Sequence, residues 1–137
     1  MTLATSDHDV LLKHVIEARE RCVVTHVPRY ELLRTLDSDA KTEFLWGSCI
    51  QNADVLAEYL RSNTSYSISV IEGGLDIPRE PVPLDYDDAL RYGTVHNWVQ
   101  ADTPSGTFHC DVACEDETLG YGNPIVVQTL PDSYILF

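Results

Sequence analysis

Two runs of alternating residues flank a turn-forming segment, and this pattern constrains the fold more than any other feature. The runs are TVHNWVQ at 94–100 and TFHCDV at 107–112, and ADTPSG at 101–106 lies between them. Proline, serine and glycine are typical of a tight connection between antiparallel strands. The sequence therefore predicts a β-hairpin whose loop is 102–105.

The hairpin has one polar and one apolar face, because side chains alternate across a strand. With this loop the polar face carries three cross-strand pairs, which are Gln100 with Thr107, Trp98 with His109, and His96 with Asp111. The other face carries Val95, Val99, Phe108, Cys110, Val112 and Cys114. Directly opposed residues have Cβ atoms about 4.5–5.5 Å apart. We therefore expect an imidazole–carboxylate hydrogen bond between His96 and Asp111.

A carboxylate that orients an imidazole is useful in catalysis when a nucleophile lies nearby. The chain has four cysteines, and the predicted hairpin turns Cys110 and Cys114 toward the apolar face. Cys22 ends a predicted helix, where the helix dipole disfavours a thiolate. Cys49 begins one, where the dipole and free N–H groups lower a thiol pKa. Cys49, His96 and Asp111 are therefore the candidate catalytic residues.

The remaining elements predict an α+β domain, with helices first and mostly strands after them. The predicted elements are a helix at 6–21 capped by Ser6 or Asp7, an extended piece at 23–27, a brief helix at 30–36, a helix from 49 to 63, a strand at 65–74, a loop and short helix or turn within 76–92, a strand at 124–130 and a tail at 133–137. Cys49, Ala53, Leu56 and Leu60 share one face of the third helix. No repeat or linker divides residues 1–137, so we expect a single domain with an antiparallel sheet.

The formal net charge of −13 excludes some partners. Such a chain repels nucleic acid and anionic membranes, and no apolar run approaches the ~20 residues that span a bilayer. Lys13 and Lys41 are the only lysines, a composition that resembles cytosolic proteins of salt-loving archaea or their viruses. In molar salt the Debye length is about 3 Å, so self-repulsion is screened. The N-terminus lacks a secretory pattern, so we expect a cytoplasmic protein with free thiols.

The motifs together resemble the transglutaminase-like superfamily of papain-fold thiol enzymes. That pattern is Gly-x-Cys opening a helix, a strand with a histidine followed by an aromatic residue, and a paired strand with an aspartate. GSCIQNADVLAEYLRSN, HNWV and HCDVA match these parts in order, from Trp46 to Ala113. Asn97 stands where a small residue is common, and Cys110 stands where an aliphatic residue precedes the aspartate.

The resemblance implies a papain-like fold, in which the helix that begins at Cys49 packs on the antiparallel sheet. It implies that Cys49 is the nucleophile, His96 the general base and acid, and Asp111 the orienting residue. The reaction would be amide hydrolysis or acyl transfer through a thioester, on a protein or peptide substrate, with no cofactor. Trp46, Trp98 and His109 are candidate substrate-binding residues.

Three alternatives stay open from the sequence. A non-enzymatic protein-binding module could keep the same fold, and a cell-wall-amidase-type cysteine peptidase shares the Cys-then-His order. Metal binding by His109, Cys110 and Cys114 is the rival chemistry. On one strand Cys110 and Cys114 lie roughly 13 Å apart at ~3.3 Å per residue, and neither CxxC nor HExxH occurs, so we predict no metal site.

Overall fold

The computed structural model describes residues 6–26, 49–116, 119–120 and 122–137, without the side chains of 23–26, 49 and 50. Within these ranges there are three helices and five strands. The helices are α1 (Asp7–His26), α2 (Cys49–Asn63) and α3 (Tyr86–Tyr92). The strands are β1 (Ser67–Leu75), β2 (Val95–Thr103), β3 (Gly106–Asp111), β4 (Ile125–Val127) and β5 (Tyr134–Ile135).

The strands form one antiparallel sheet with the order β4-β3-β2-β1-β5. The two long strands β1 and β2 pair over eight residues, from Ser67 opposite Asp102 to Gly74 opposite Val95. The predicted α+β class with an antiparallel sheet is therefore confirmed. No helix within the described ranges has the length and apolar content needed to cross a membrane.

The main core lies between one face of this sheet and the helices α1 and α2, which also pack against each other. Its fully buried side chains include Leu11 and Val15 of α1 and Leu56 and Leu60 of α2. The sheet contributes Ile68, Val99, Ala101, Phe108, Cys110 and Val126, and Val112, directly after β3, also belongs to this core. Most described members of the two predicted apolar faces are thus buried in this core, namely Ala53, Leu56 and Leu60 of α2 and Val99, Phe108, Cys110 and Val112 of the hairpin.

A second, smaller cluster covers the opposite face of the sheet. Leu75, Trp98 and Tyr134 are its buried members, and Ile71, Ile77 and Leu130 pack against them. Because β5 and the residues before it bring Tyr134 to this face, the polar side of β2 and β3 is partly covered. This second layer encloses the predicted His–Asp pair.

Helix α1 is longer than predicted. Ser6 caps it as expected, since its hydroxyl accepts the N–H of Asp9 at 3.1 Å, but the helix continues to His26. The prediction of an extended piece at 23–27 is therefore wrong for residues 23–26, and residue 27 lies outside the described residues. Each residue added to an existing helix gains a backbone hydrogen bond, which outweighs the strand preference of two valines. The brief helix predicted at 30–36 lies outside the described residues.

The hairpin forms with a tighter turn and a different register from the predicted ones. Asp102 pairs with Thr107 and Thr103 with Gly106, so only residues 104 and 105 form the loop. Pro104 fixes its own φ, and Gly106 adopts a φ of +124° that few other residues tolerate. Gln100 therefore pairs with His109 rather than with Thr107, a shift that changes the partners and preserves the two faces.

The shorter elements agree with the sequence in kind and differ in length. The predicted strand at 65–74 is β1, and the region 76–92 holds a loop followed by α3, which Asp85 caps by accepting the N–H of Asp88 at 2.8 Å. Only three residues of the predicted final strand pair, as β4. The tail adds β5 at the other edge, next to β1.

Candidate active site

His96 and Asp111 meet on the sheet face opposite α1 and α2. The Nε2 atom of His96 lies 2.6 Å from Oδ2 of Asp111, and the two side chains are only 4% and 7% exposed. In the observed register the two residues are not directly opposed, so the imidazole reaches the carboxylate diagonally across the strands. The predicted hydrogen bond is confirmed, and the predicted pairing of the two residues is wrong.

The Asp111 carboxylate accepts two further hydrogen bonds. The hydroxyl of Tyr134 donates to Oδ2 at 2.6 Å, and the backbone N–H of Ala113 donates to Oδ1 at 3.1 Å. Three donors match an ionised carboxylate, which is acceptor-only. With Asp111 as the acceptor, the hydrogen between the pair is carried by Nε2 of His96, so Nδ1 of the neutral ring carries none.

The rings of His96, Trp98 and Tyr134 contact one another, and we call these three residues the aromatic cluster. The Tyr134 ring meets the imidazole edge-on with centroids 4.9 Å apart, and the indole of Trp98 stacks on it at 6.1 Å. Burial first, and then the charge of Asp111, raises the pKa of the Tyr134 hydroxyl. Tyr134 therefore stays a neutral donor to Asp111.

The backbone of α2 begins at the same end of the sheet as His96. Only residues 64–66 separate α2 from β1, so the helix runs back along the sheet and packs on β1 and β2. Fifteen helical residues span about 22 Å, close to the ~20 Å from Ser67 to Gly73. Gly73 pairs with His96. The helix start at Cys49 thus lies at the end where β2 begins.

A cleft of about 490 Å³ opens beside this helix start, and we call it the α2 cleft. Asp54 of α2 lines it together with Glu72 and Asn97, two paired residues of β1 and β2. Asp54 lies five residues after Cys49, so the cleft adjoins the first turns of α2. Its remaining walls are apolar and come from Val70, Ile71, Leu136 and Phe137.

The described cysteines are poor nucleophiles. Cys22, Cys110 and Cys114 are free thiols and are buried. Burial raises the pKa of both Cys22 and Cys110 to about 12, and burial also raises the pKa of Cys114. All three remain protonated thiols at neutral pH. The side chain of Cys49 lies outside the described residues.

Cys114 does not continue the apolar face of the hairpin as predicted. β3 ends at Asp111, and the chain then turns so that the N–H of Cys114 donates to the carbonyl of Asn123 at 2.8 Å. The thiol lies 3.5 Å from the carbonyl oxygen of Asp116. The alternation of side chains stops where the strand stops, which removes the basis for that placement.

Trp98 and His109 form a second polar contact on the same face. The indole N–H of Trp98 donates to Nδ1 of His109 at 3.2 Å, and burial lowers the pKa of His109. Trp98 is 1% exposed and has the position of a packing residue. Contact of Trp98 or His109 with a substrate stays a prediction.

Two further predictions concern Trp46 as a substrate-binding residue and the absence of a metal site. Trp46 lies outside the described residues. Within the described ranges, no three His, Cys, Asp or Glu side chains are grouped so that they could hold a metal ion.

Sequence reasoning missed two residues, Tyr134, which donates to Asp111, and Arg19, which bonds to the backbone that follows Asp111. Tyr134 lies in the tail, where no sequence signal indicates a partner in β3. Arg19 is 8% exposed, and its guanidinium donates to the carbonyls of Val112 at 2.7 Å and Gly122 at 2.5 Å. It lies four residues after Val15 on the buried stripe of α1, and an arginine on such a stripe signals a buried hydrogen-bonding role.

Comparison with family models, with curated proteins and with solved structures gave no match to this chain.

Proposed function

We propose that this chain is a cysteine-dependent acyl-transfer enzyme of papain-like, transglutaminase-like architecture, with amide hydrolysis as its main reaction. The observation that carries the proposal is the buried 2.6 Å hydrogen bond between His96 and Asp111 at the end of the sheet where α2 begins. Its substrate is a protein or peptide.

The carboxylate supports the histidine in two ways. It fixes the tautomer in which Nε2 carries the hydrogen, and it stabilises the imidazolium that forms when Nδ1 takes a proton. The bonds from Tyr134 and Ala113 hold the carboxylate in place. A histidine supported in this way acts as the general base and acid.

Cys49 is the nucleophile in this proposal. The other three cysteines keep their protons at neutral pH, whereas the N-terminal end of a helix lowers the pKa of a thiol. The thiolate of Cys49 attacks the amide carbonyl carbon, and His96 gives its proton to the departing amine. Water or an amine then attacks the thioester, His96 takes the proton of that attacking group, and the thiolate of Cys49 is released.

Alkylation by iodoacetamide at pH 6.5 tests the proposal, with the modified cysteine mapped by peptide mass. An ordinary thiol with a pKa near 8.5 is about 1% thiolate at that pH. We expect wild-type Cys49 to react at least about tenfold faster than an ordinary thiol, and Cys49→Ala to remove the fast phase without loss of folding.

Two histidine variants complete the experiment. His96→Gln removes the imidazole of the pair and should slow the alkylation of Cys49 to the ordinary rate. His8→Gln makes the same chemical change on α1, away from the pair, and should leave the rate unchanged. An ordinary rate for wild-type Cys49, unaffected by His96→Gln, would contradict the proposal and favour a binding module.

A further inference from the structure

The α2 cleft is lined by hydrogen-bond acceptors from three elements. Asp54 comes from α2, Glu72 from β1 and Asn97 from β2, and the last two are paired across the strands. Both carboxylates are exposed, and within the described ranges neither has an ion-pair or hydrogen-bond partner. No lysine or arginine is among the described residues that line the cleft. Its electrostatic character is therefore negative.

An unpaired acceptor on the buried side chain of Asn97 distinguishes this cleft from an ordinary acidic surface. The residue is only 4% exposed, and its Oδ1 atom is buried with no hydrogen-bond partner in the part of the chain that the structure describes. A buried polar atom without a partner costs about 1–3 kcal/mol, so buried acceptors are normally satisfied. The group that is missing here is a donor. Asn97 lines the cleft, but its Oδ1 atom has almost no accessible surface, so a ligand in the cleft can supply the donor only when the amide turns toward the cleft.

The apolar walls restrict what kind of donor fits. Leu136 and Phe137 are 56% and 46% exposed, so both side chains are accessible to a ligand in the cleft. The Phe137 ring lies over the backbone of Gly74, where a Cβ atom would come within 2.8 Å of it. An alkyl chain can pack on such walls, and an aromatic face also attracts a cation.

From these contacts we infer that the α2 cleft binds the cationic side chain of a peptide, a lysine or an arginine. The ammonium or guanidinium group lies between the carboxylates of Asp54 and Glu72, and the amide of Asn97 turns so that its Oδ1 accepts a hydrogen bond from that group. The aliphatic stem of the side chain packs on Leu136 and Phe137. A neutral side chain of the same length satisfies neither the charge nor the unpaired acceptor.

The inference rests on the proposed function only in treating the peptide as a substrate, because the cleft adjoins the first turns of α2. The binding itself is independent of catalysis. It is therefore measured on the full chain carrying Cys49→Ala, which cannot turn a substrate over. If the alkylation experiment above fails while this binding is found, the cleft is a recognition site without the proposed reaction.

The test is an NMR titration with three probes, in the lowest KCl concentration at which the chain is folded. The probes are Nα-acetyl-lysine methylamide, Nα-acetyl-arginine methylamide and, as the neutral control, Nα-acetyl-norleucine methylamide. We expect saturable shifts of the side-chain NH₂ of Asn97 and the backbone amide of Glu72 with a cationic probe. Norleucine should bind at least about tenfold more weakly, as expected for loss of a charged hydrogen bond.

Three variants separate the cleft from the general charge of the surface. Asn97→Leu and Glu72→Gln should each weaken cationic binding about tenfold, and Glu72→Gln keeps the test valid if the buried substitution disturbs folding. Glu58→Gln makes the same charge change at an exposed position of α2 that does not line the cleft, and should change nothing. Equal binding of norleucine, no saturation by either cation, or insensitivity to Glu72→Gln would overturn the inference.

Discussion

At the scale of single residues, Asp111 is the best-supported group in the candidate site. Its carboxylate holds the imidazole of His96, and Tyr134 and Ala113 hold the carboxylate. Because these side chains are buried, each hydrogen bond is electrostatically stronger than it would be in water. Removing one donor therefore affects both stability and the orientation of His96.

Tyr134→Phe removes a single hydroxyl from this network. The Tyr134 oxygen donates to Asp111 and accepts the N–H of Glu115 at 3.0 Å. We expect the free energy of unfolding to fall by about 2 kcal/mol, measured by urea denaturation, and the alkylation of Cys49 to slow.

Tyr66→Phe is the matched control for that substitution. The hydroxyl of Tyr66 donates to the Asp7 carboxylate at a half-exposed position on the other side of the molecule. Its loss should cost less than about 1 kcal/mol, with no change in the alkylation rate. Equal losses of stability for the two variants would show that the Tyr134 hydroxyl has no special role.

The lowered pKa of His109 predicts how the stability of the chain depends on pH. Burial lowers its pKa in the folded chain, so in acid the unfolded chain takes up a proton that the folded chain resists. The stability that neutral His109 contributes is complete above the unfolded pKa of about 6.5 and is lost as the pH falls through the lower folded value.

The comparison of wild type with His109→Gln isolates this effect, because glutamine does not titrate in this range. We expect wild type to lose stability relative to the variant when urea denaturation is repeated at pH 7.5, 6.5 and 5. A difference that stays constant over that range, or that moves in favour of wild type in acid, would contradict the assignment.

At the scale of elements, the backbone of β1 lies very close to side-chain and backbone atoms of β2 and β5 at Gly73. A Cβ atom on this residue would lie 2.3 Å from the Trp98 ring and 2.7 Å from the carbonyl oxygen of Ile135. Trp98 is fully buried under Tyr134, and the carbonyl belongs to β5, so neither neighbour has room to retreat. Gly73 is thus required for the second layer that covers the His–Asp pair.

Gly73→Ala should therefore destabilise the chain by about 3 kcal/mol, as overpacking of a buried position does. Gly74→Ala is the neighbouring control, where the added atom meets the far end of the half-exposed Phe137 ring at 2.8 Å. That ring can turn away, so the cost should be smaller. Thermal unfolding measures both, and equal melting temperatures would show that the Trp98 ring yields.

At the scale of the whole molecule, the net charge of −13 opposes compaction. Screening by salt weakens repulsion between exposed carboxylates. We expect the melting temperature to rise between 0.1 M and 2 M KCl, measured by circular dichroism. Higher stability in dilute buffer would remove the inference that the chain is adapted to salt.

The sequence by itself determined the class of fold and most of the elements. Helix α2, strand β1 and the two faces of the hairpin follow from the spacing of apolar residues, because burial of one face is the strongest local constraint on a chain. It also identified His96 and Asp111 as partners, since a register shift by a whole pair keeps both residues on the same face.

Only the tertiary structure decided how that pair is enclosed. The register depended on a two-residue turn at 104–105, and the third partner of the carboxylate, Tyr134, comes from a strand 23 residues further on. The unpaired acceptor of Asn97 is likewise visible only when α2, β1 and β2 are packed together. Local periodicity reports which face of an element is buried, whereas partners distant in sequence are chosen by packing over the whole chain.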